Sequence, residues 1–343
     1  MSVKKAKQEL ARQVPKEEEP KDSDYLSTGV TLLNLATYGK TYGGLLKGNI
    51  YRYCGRSSSG KTFICRTILA EAAASKHFDG YDLIYDDVER GALMDTTKFF
   101  GQRLMDRLVP PAKSKSKAPI YSKTIGDFYR RINEKLKEGK RLIWIIDSLD
   151  SLVPDTDNNK MTDGKAKTNS QELRKLLQPL AATKSILVLV SQAHVDMKSM
   201  FGGDLAAGGR APEFYSTTEV WLRKAKTLFT VHKGKKYPTG HIIRARVQKN
   251  RLSGLDRTVY FPFDPRYGID DIGANIDFLV SSKYWNKESK QINAVEFDII
   301  GSKLEVTQKI EKEGAEKELQ VLTGKVWRSI EEACTVERKP RYV

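Results

Sequence analysis

The chain has 343 residues and a formal net charge of +16, from 59 Lys plus Arg against 43 Asp plus Glu. That length buries a large core, and no apolar run of membrane-spanning length or signal-like leader stands out, so a soluble, cytoplasmic protein with no membrane contact is expected. Three cysteines without metal-ligand spacing, Cys54, Cys65 and Cys334, argue against a disulfide framework or a zinc site, while the cationic excess favours a polyanionic partner.

Residues 1–24 are polar and charge-dense, and Pro15 and Pro20 interrupt any helix, so they are expected to form a flexible arm that contacts a neighbouring copy. Residues 25–271 carry an α/β rhythm. Strand-like runs at Ile50–Tyr53, Leu83–Tyr85, Leu142–Ile146 and Ile186–Val190 are separated by helical stretches at Thr62–Lys76, Thr96–Leu108, Ile125–Lys137 and Ser170–Thr183. The pattern predicts an α/β core, a mostly parallel central sheet covered by helices on both faces. Later runs, Glu219–Leu222, Leu228–His232, Ile242–Gln248 and Thr258–Phe263, follow one another across Gly-containing turns and predict antiparallel strands extending the sheet edge. Residues 272–343 are expected to form a small α-rich terminal domain with a basic tail.

The stretch Gly55-Arg56-Ser57-Ser58-Ser59-Gly60-Lys61-Thr62 has the P-loop spacing and stands between a strand-like and a helical run. Its glycines let the backbone N–H groups approach phosphate oxygens, Lys61 reaches the β- and γ-phosphates, and the Thr62 hydroxyl ligates Mg²⁺. The start of the following helix adds the positive end of its dipole. Leu142-Ile143-Trp144-Ile145-Ile146-Asp147 is a buried strand ending in a carboxylate, so Asp147 is the second candidate for holding Mg²⁺. ATP and Mg²⁺ are therefore the expected cofactors. The run Leu83-Ile84-Tyr85 ends in Asp86, Asp87 and Glu89, any of which could orient an attacking water. A third strand ends in Ser191-Gln192, and Gln192 suits sensing of a γ-phosphate and relay of its loss to the following segment.

These motifs, in this order, resemble the RecA-type recombinases, and the phage-encoded members most. The resemblance covers roughly Tyr25 to Asp271. It rests also on Leu26-Ser27-Thr28-Gly29 with Leu32-Leu33-Asn34-Leu35-Ala36, on Gly43-Gly44-Leu45, and on Gly101 twelve residues after Glu89. It implies that Glu89 is the catalytic glutamate, with Lys61 and Gln192 as its partners in hydrolysis. Lys249-Asn250-Arg251 resembles the family's Lys-Asn-Lys, which implies that Lys249 and Arg251 contact ATP across a filament interface. Where the family sets an Asp and a Tyr against adenine, this chain has Leu93 and Thr96.

The resemblance further implies two DNA-binding loops, near 155–169 and 193–210. Lys160, Lys165, Lys167, Lys198 and Arg210 would neutralise phosphates, and Phe201, beside Met200, would wedge between bases. Gly202, Gly203, Gly208 and Gly209 would let the backbone approach the strand. A basic group at Arg223, Lys224, Lys226, Lys233, Lys235 and Lys236 is a candidate secondary site for duplex DNA. The implied protein is a DNA-dependent ATPase of bacterial or phage-infected cells. It forms helical filaments on single-stranded DNA, catalyses homologous pairing and strand exchange in recombination and repair, and works with single-strand-binding and loading proteins. Two other readings share the core fold: a hexameric helicase, and a recombinase paralogue that uses ATP as a clamp in a mediator complex.

Overall fold

A computed structural model describes residues 19–113, 115, 119–155, 161–196, 203–207, 209–336 and 338. Most of the predicted arm, 1–18, lies outside them. The first elements are β1 (Tyr25–Leu26), α1 (Thr31–Tyr38), β2 (Leu45–Leu46), β3 (Ile50–Gly55), α2 (Lys61–Ala74) and β4 (Tyr81–Asp87). Next come α3 (Thr96–Phe100), α4 (Gln102–Arg107), the short β5 (Ala112–Lys113) and β6 (Pro119–Ile120), α5 (Ile125–Lys137), β7 (Arg141–Asp147) and α6 (Met161–Thr183). The chain continues with β8 (Ile186–Asp196), β9 (Gly203–Ala206), α7 (Arg210–Tyr215), β10 (Thr218–His232), β11 (Lys235–Asn250), β12 (Arg257–Asp264) and β13 (Gly268–Ile269). It closes with α8 (Asp271–Ser281), β14 (Asn286–Glu288), β15 (Gln291–Ala294), β16 (Ile299–Gly301), α9 (Lys303–Glu313) and α10 (Glu316–Cys334).

The central sheet has the strand order β13-β12-β11-β10-β3-β8-β7-β4, with β9 paired to β8. Strands β10, β3, β8, β7 and β4 run parallel, and β11, β12 and β13 add antiparallel neighbours at one side. This is the mixed α/β core that the rhythm predicts and that the resemblance to RecA-type recombinases implies. Alternation along each parallel strand feeds two separate cores, because successive side chains point to opposite faces. Ile143, Ile145, Val188 and Val190 pack with Ile64, Cys65 and Ile68 of α2. Leu142, Trp144, Ile146, Leu187 and Leu189 pack instead with Phe128 and Ile132 of α5 and with Leu173, Leu176 and Leu180 of α6.

Four expectations needed adjustment. The helix expected over Thr96–Leu108 breaks at Gly101, whose φ of 82° ends α3 and begins α4. Helix α6 begins at Met161, so the second half of the expected loop 155–169 is helical; the Tyr129 hydroxyl donates to buried Asn169 at 3.0 Å and ties this part of the helix to α5. The expected loop 193–210 opens with strand: β8 runs on to Asp196, and Ala193↔Ala206 through Asp196↔Gly203 pair antiparallel. The terminal region carries a three-stranded antiparallel meander, β14-β15-β16, beside its helices. There Trp285, Ile292, Phe297, Ile310 and Leu319 form a third core, while Ala274 of α8 packs into the first. Among the described residues no helix is long and apolar enough to cross a membrane.

The start and the end of the fold are joined at Asp271. Its carboxylate accepts from the Thr31 backbone N–H and hydroxyl, each at 2.7 Å, and from Asn275 and Gln320 at 3.2 and 3.3 Å. Asp271→Ala leaves those donors unsatisfied and is expected to lower stability by about 2–3 kcal/mol in urea denaturation. Burial raises the Asp271 carboxyl above the ordinary carboxylate value, against the hydrogen bonds from Thr31. The native state therefore holds this proton more readily than the unfolded chain, and stability falls as pH rises through the folded value. The variant should lose that component of the slope in urea midpoints measured from acid to neutral pH.

Candidate functional site

The P-loop turn is formed between the end of β3 at Gly55 and the start of α2 at Lys61. Gly60 sits in the left-handed region at φ 93°, and a Cβ there would lie 2.7 Å from the Ile243 side chain, so the position needs glycine on two counts. Lys61 is buried, and its ammonium donates to the carbonyl oxygens of Gly55 and Arg56 at 2.7 and 2.9 Å and to Gln192 Oε1 at 3.1 Å. Burial lowers its pKa, opposed by the charges of Asp147 and Glu89. Ser57 and Ser58 are exposed in the turn; the Ser59 hydroxyl is buried and without a hydrogen-bond partner among the described residues.

Thr62 Oγ1 donates to Asp147 Oδ2 at 2.8 Å, and the Tyr85 hydroxyl donates to the same oxygen. Burial, then the Asp147 charge, pushes the Tyr85 phenol well above its ordinary pKa, so it remains a donor. A hydroxyl and a carboxylate side by side at the P-loop are hard oxygen donors, and this set fits Mg²⁺ beside phosphate. The Arg66 guanidinium lies 4.3 Å from the Tyr85 ring centroid and donates to Thr96 Oγ1 at 2.8 Å. Leu93 is exposed.

The three acids after β4 have different surroundings. Asp86 accepts from the Ser122 backbone and hydroxyl at 2.9 and 2.5 Å and pairs with Arg131 at 3.4 Å. Asp87 accepts from the backbone N–H groups of Gly91 and Ala92 at 3.0 and 3.1 Å. Glu89 accepts from Ser151 Oγ at 2.8 Å and, more weakly, from Gln192 Nε2 at 3.4 Å. Gln192 thus bridges Lys61 and Glu89, and its own backbone N–H donates to Asp150 at 2.8 Å. Lys61, Thr62, Asp147, Gln192 and Glu89, chosen from four separate stretches of sequence, converge at the carboxyl ends of the parallel strands.

Lys249 and Arg251 have other partners. Both donate to the Phe214 carbonyl, at 2.9 and 2.8 Å, Lys249 also donates to the Glu213 carbonyl, and the Arg251 guanidinium faces the Phe214 ring at 5.8 Å. Of the candidate DNA-binding residues, Lys160, Lys198, Met200, Phe201, Gly202 and Gly208 lie outside the described residues, as does the Lys165 side chain. Lys167, Gly209 and Arg210 are exposed, with Arg210 opening α7, and Gly203 begins β9. Strand β10 pairs with β3 only through Leu222, so the basic residues from Arg223 to Lys236 lie on a two-stranded ribbon that extends past the parallel sheet. On it Arg223 is ion-paired with Asp204 of β9 at 2.7 Å.

Sequence reasoning missed Tyr85, Asp150, Ser151, Arg52 and Asp204. Tyr85 was open to discovery, since it stands two residues before Asp87 and therefore on the same face, in the strand that pairs with the one ending in Asp147. The others needed the tertiary fold.

With this geometry in hand, residues 122–270 match the RecA N-terminal domain family. Protein RecA of Chlamydia trachomatis serovar L2 is 28% identical over 275 residues, covering 78% of this chain and 72% of the relative. Protein RecA of Bdellovibrio bacteriovorus is 26% identical over 273 residues, covering 78% and 67%. That of Rickettsia canadensis is 27% identical over 278 residues, covering 77% and 74%. A RecA-like core with a P-loop site at its strand ends, together with these matches, makes the chain similar to the RecA-type recombinases.

Tyr85→Phe keeps the ring and removes the donor that orients Asp147. The Mg²⁺ concentration needed for half-maximal binding of a fluorescent ATP analogue is expected to rise about tenfold, with the thermal transition little changed.

Proposed function

We propose that the protein is an ATP-dependent recombinase that polymerises on single-stranded DNA and pairs it with homologous duplex. The observation that carries this reading is the chain Lys61–Gln192–Glu89. It ties the phosphate-binding turn to β8, which runs into the candidate DNA-binding loop expected over 193–210.

In this mechanism the backbone of Gly55–Thr62 and the Lys61 ammonium hold the phosphates of ATP. Thr62 and Asp147 would hold Mg²⁺, which would supply neutralisation of phosphate charge. Entry of a γ-phosphate offers Lys61 a stronger partner than the Gly55 and Arg56 carbonyls and frees Gln192 to reach the phosphate itself. Glu89, whose carboxylate is already held by Ser151, orients the attacking water. Lys249 and Arg251 of an adjacent copy leave their carbonyl partners and add cationic stabilisation of the developing charge. Gln192 shifts with the γ-phosphate, and the segment after β8 shifts with it, so ATP favours the DNA-gripping state and hydrolysis releases it.

The deciding experiment is D-loop formation with a single-stranded oligonucleotide, a supercoiled homologous plasmid, ATP and Mg²⁺, against a heterologous plasmid. Homology-dependent product is the expected result. DNA-stimulated hydrolysis without product, with rings in negative-stain micrographs, would instead indicate a helicase. DNA-insensitive ATP binding without turnover would indicate a structural clamp.

Two variants test the assigned roles. Lys61→Ala is expected to abolish ATP-dependent DNA binding; binding that still responded to ATP would remove Lys61 from that role. Glu89→Gln should lower the hydrolysis rate by about 10²-fold or more while keeping ATP-dependent DNA binding, and unchanged turnover would move the water-orienting role to another residue.

A further inference from the structure

Strand β9 is gripped at both ends by arginines of the phosphate-binding strand and turn. At its start, the Asp204 carboxylate accepts from Arg56 Nε and Nη2 at 3.1 and 2.7 Å, and Arg223 closes on its other oxygen at 2.7 Å. Just past its end, the Ala207 carbonyl accepts from Arg52 Nη2 at 2.7 Å. Arg52 lies on β3, three residues before Gly55, and Arg56 is the first residue of the turn itself.

The two grips differ in kind. Arg52 is fully buried, and its fork is satisfied by three partners: Ser191 on β8 at 3.1 Å, Glu219 on β10 at 2.9 Å, and Ala207. Trp221 donates to the other oxygen of Glu219 at 2.7 Å and fixes the counter-ion. A planar guanidinium with three directed partners holds β8, β10 and the end of β9 in one arrangement, which a lysine cannot reproduce. The Arg56 grip is asymmetric. The Asp204 side chain is 2% exposed and that of Arg56 56% exposed, so loss of Arg56 leaves a buried carboxylate with Arg223 alone. Such a site has two states, occupied and vacated, rather than a continuum between them. Arg56 belongs to the turn that must readjust when phosphate enters, since Lys61 then exchanges the Gly55 and Arg56 carbonyls for phosphate oxygens.

We propose that Asp204 and Arg52 are positioning residues of a second coupling route, in which the P-loop acts directly on β9 without passing through the Gln192 side chain. Resting on the function proposed above, this route moves β9 on the far side of the candidate DNA-binding loop 193–210, while Gln192 acts on its near side. Both sides of the candidate DNA-binding stretch then answer to the same phosphate.

The test compares wild type, Asp204→Asn and Arg52→Lys. Two readouts are used: binding of a fluorescent oligo-dT with and without a non-hydrolysable ATP analogue, and hydrogen exchange over 203–207, where the Ala207 N–H donates to the Gln192 carbonyl at 2.8 Å. In wild type the analogue is expected to change protection of 203–207 and to tighten DNA binding. In Asp204→Asn the tightening should shrink about tenfold and the protection change should vanish, with analogue affinity altered less than about twofold. Arg52→Lys, which cannot reproduce the three-way fork, should behave likewise. The proposal is overturned if the analogue leaves 203–207 unchanged in wild type, if Asp204→Asn responds as wild type does, or if analogue affinity falls in parallel with coupling. A protection change in wild type without tightening on DNA would keep the route and reject the DNA-binding function instead.

Discussion

A buried ammonium governs this site. Lys61 carries its charge into a position closed off by α2 and the sheet, where two carbonyl oxygens of its own turn and Gln192 accept from it. A charge so placed must be met by acceptors, and the acceptors are the groups that must move when a better anion arrives. The turn's closed shape and its readiness to change therefore have one cause. The Thr62–Asp147–Tyr85 cluster beside it is held in place independently, by hydrogen bonds between α2, β7 and β4.

The sheet separates two tasks by the alternation of its strands. Tyr85, Asp147 and Gln192 point to the face of α2 and the P-loop turn. Arg52, Ser191, Glu219 and Trp221 point to the opposite face, where an ion pair with both side chains at most 3% exposed links β3 to β10 and Arg52 also donates to Ser191 of β8. Neighbouring residues in one strand, Ser191 and Gln192, thus serve different sides of the sheet.

Much of the core was legible because its signals are local. Four apolar strands separated by amphipathic or apolar helices leave few topologies for a parallel sheet, and the P-loop spacing names its own chemistry. Choosing among Asp86, Asp87 and Glu89 was not possible from spacing: the choice depends on Ser122 and Arg131 engaging the first and on the turn at Gly91–Ala92 engaging the second. The helical start of α6 escaped notice because its sequence, Met161-Thr-Asp-Gly-Lys-Ala-Lys-Thr-Asn169, is polar and contains a glycine; its tie is tertiary, through Tyr129. β9 was hidden for a similar reason, since Gly-Asp-Leu-Ala is weak as a strand and is held by arginines distant in sequence. The meander β14–β16 is built from strands of three or four residues, too short for alternation to declare itself.

The central position of β3 also sets the order in which the protein can be made. Its partners on either side, β8 and β10, are synthesised long after it; the Arg52 contacts to Ser191 and Glu219 span 139 and 167 residues. On the ribosome, the strand that carries the phosphate-binding turn must wait with both edges unpaired, and such contacts of high sequence separation close slowly. Exposed apolar strand edges on a nascent chain invite association with other chains. A chain halted before β10 would therefore already carry the P-loop turn, Asp147 and Gln192, yet hold its central strand with one edge unpaired.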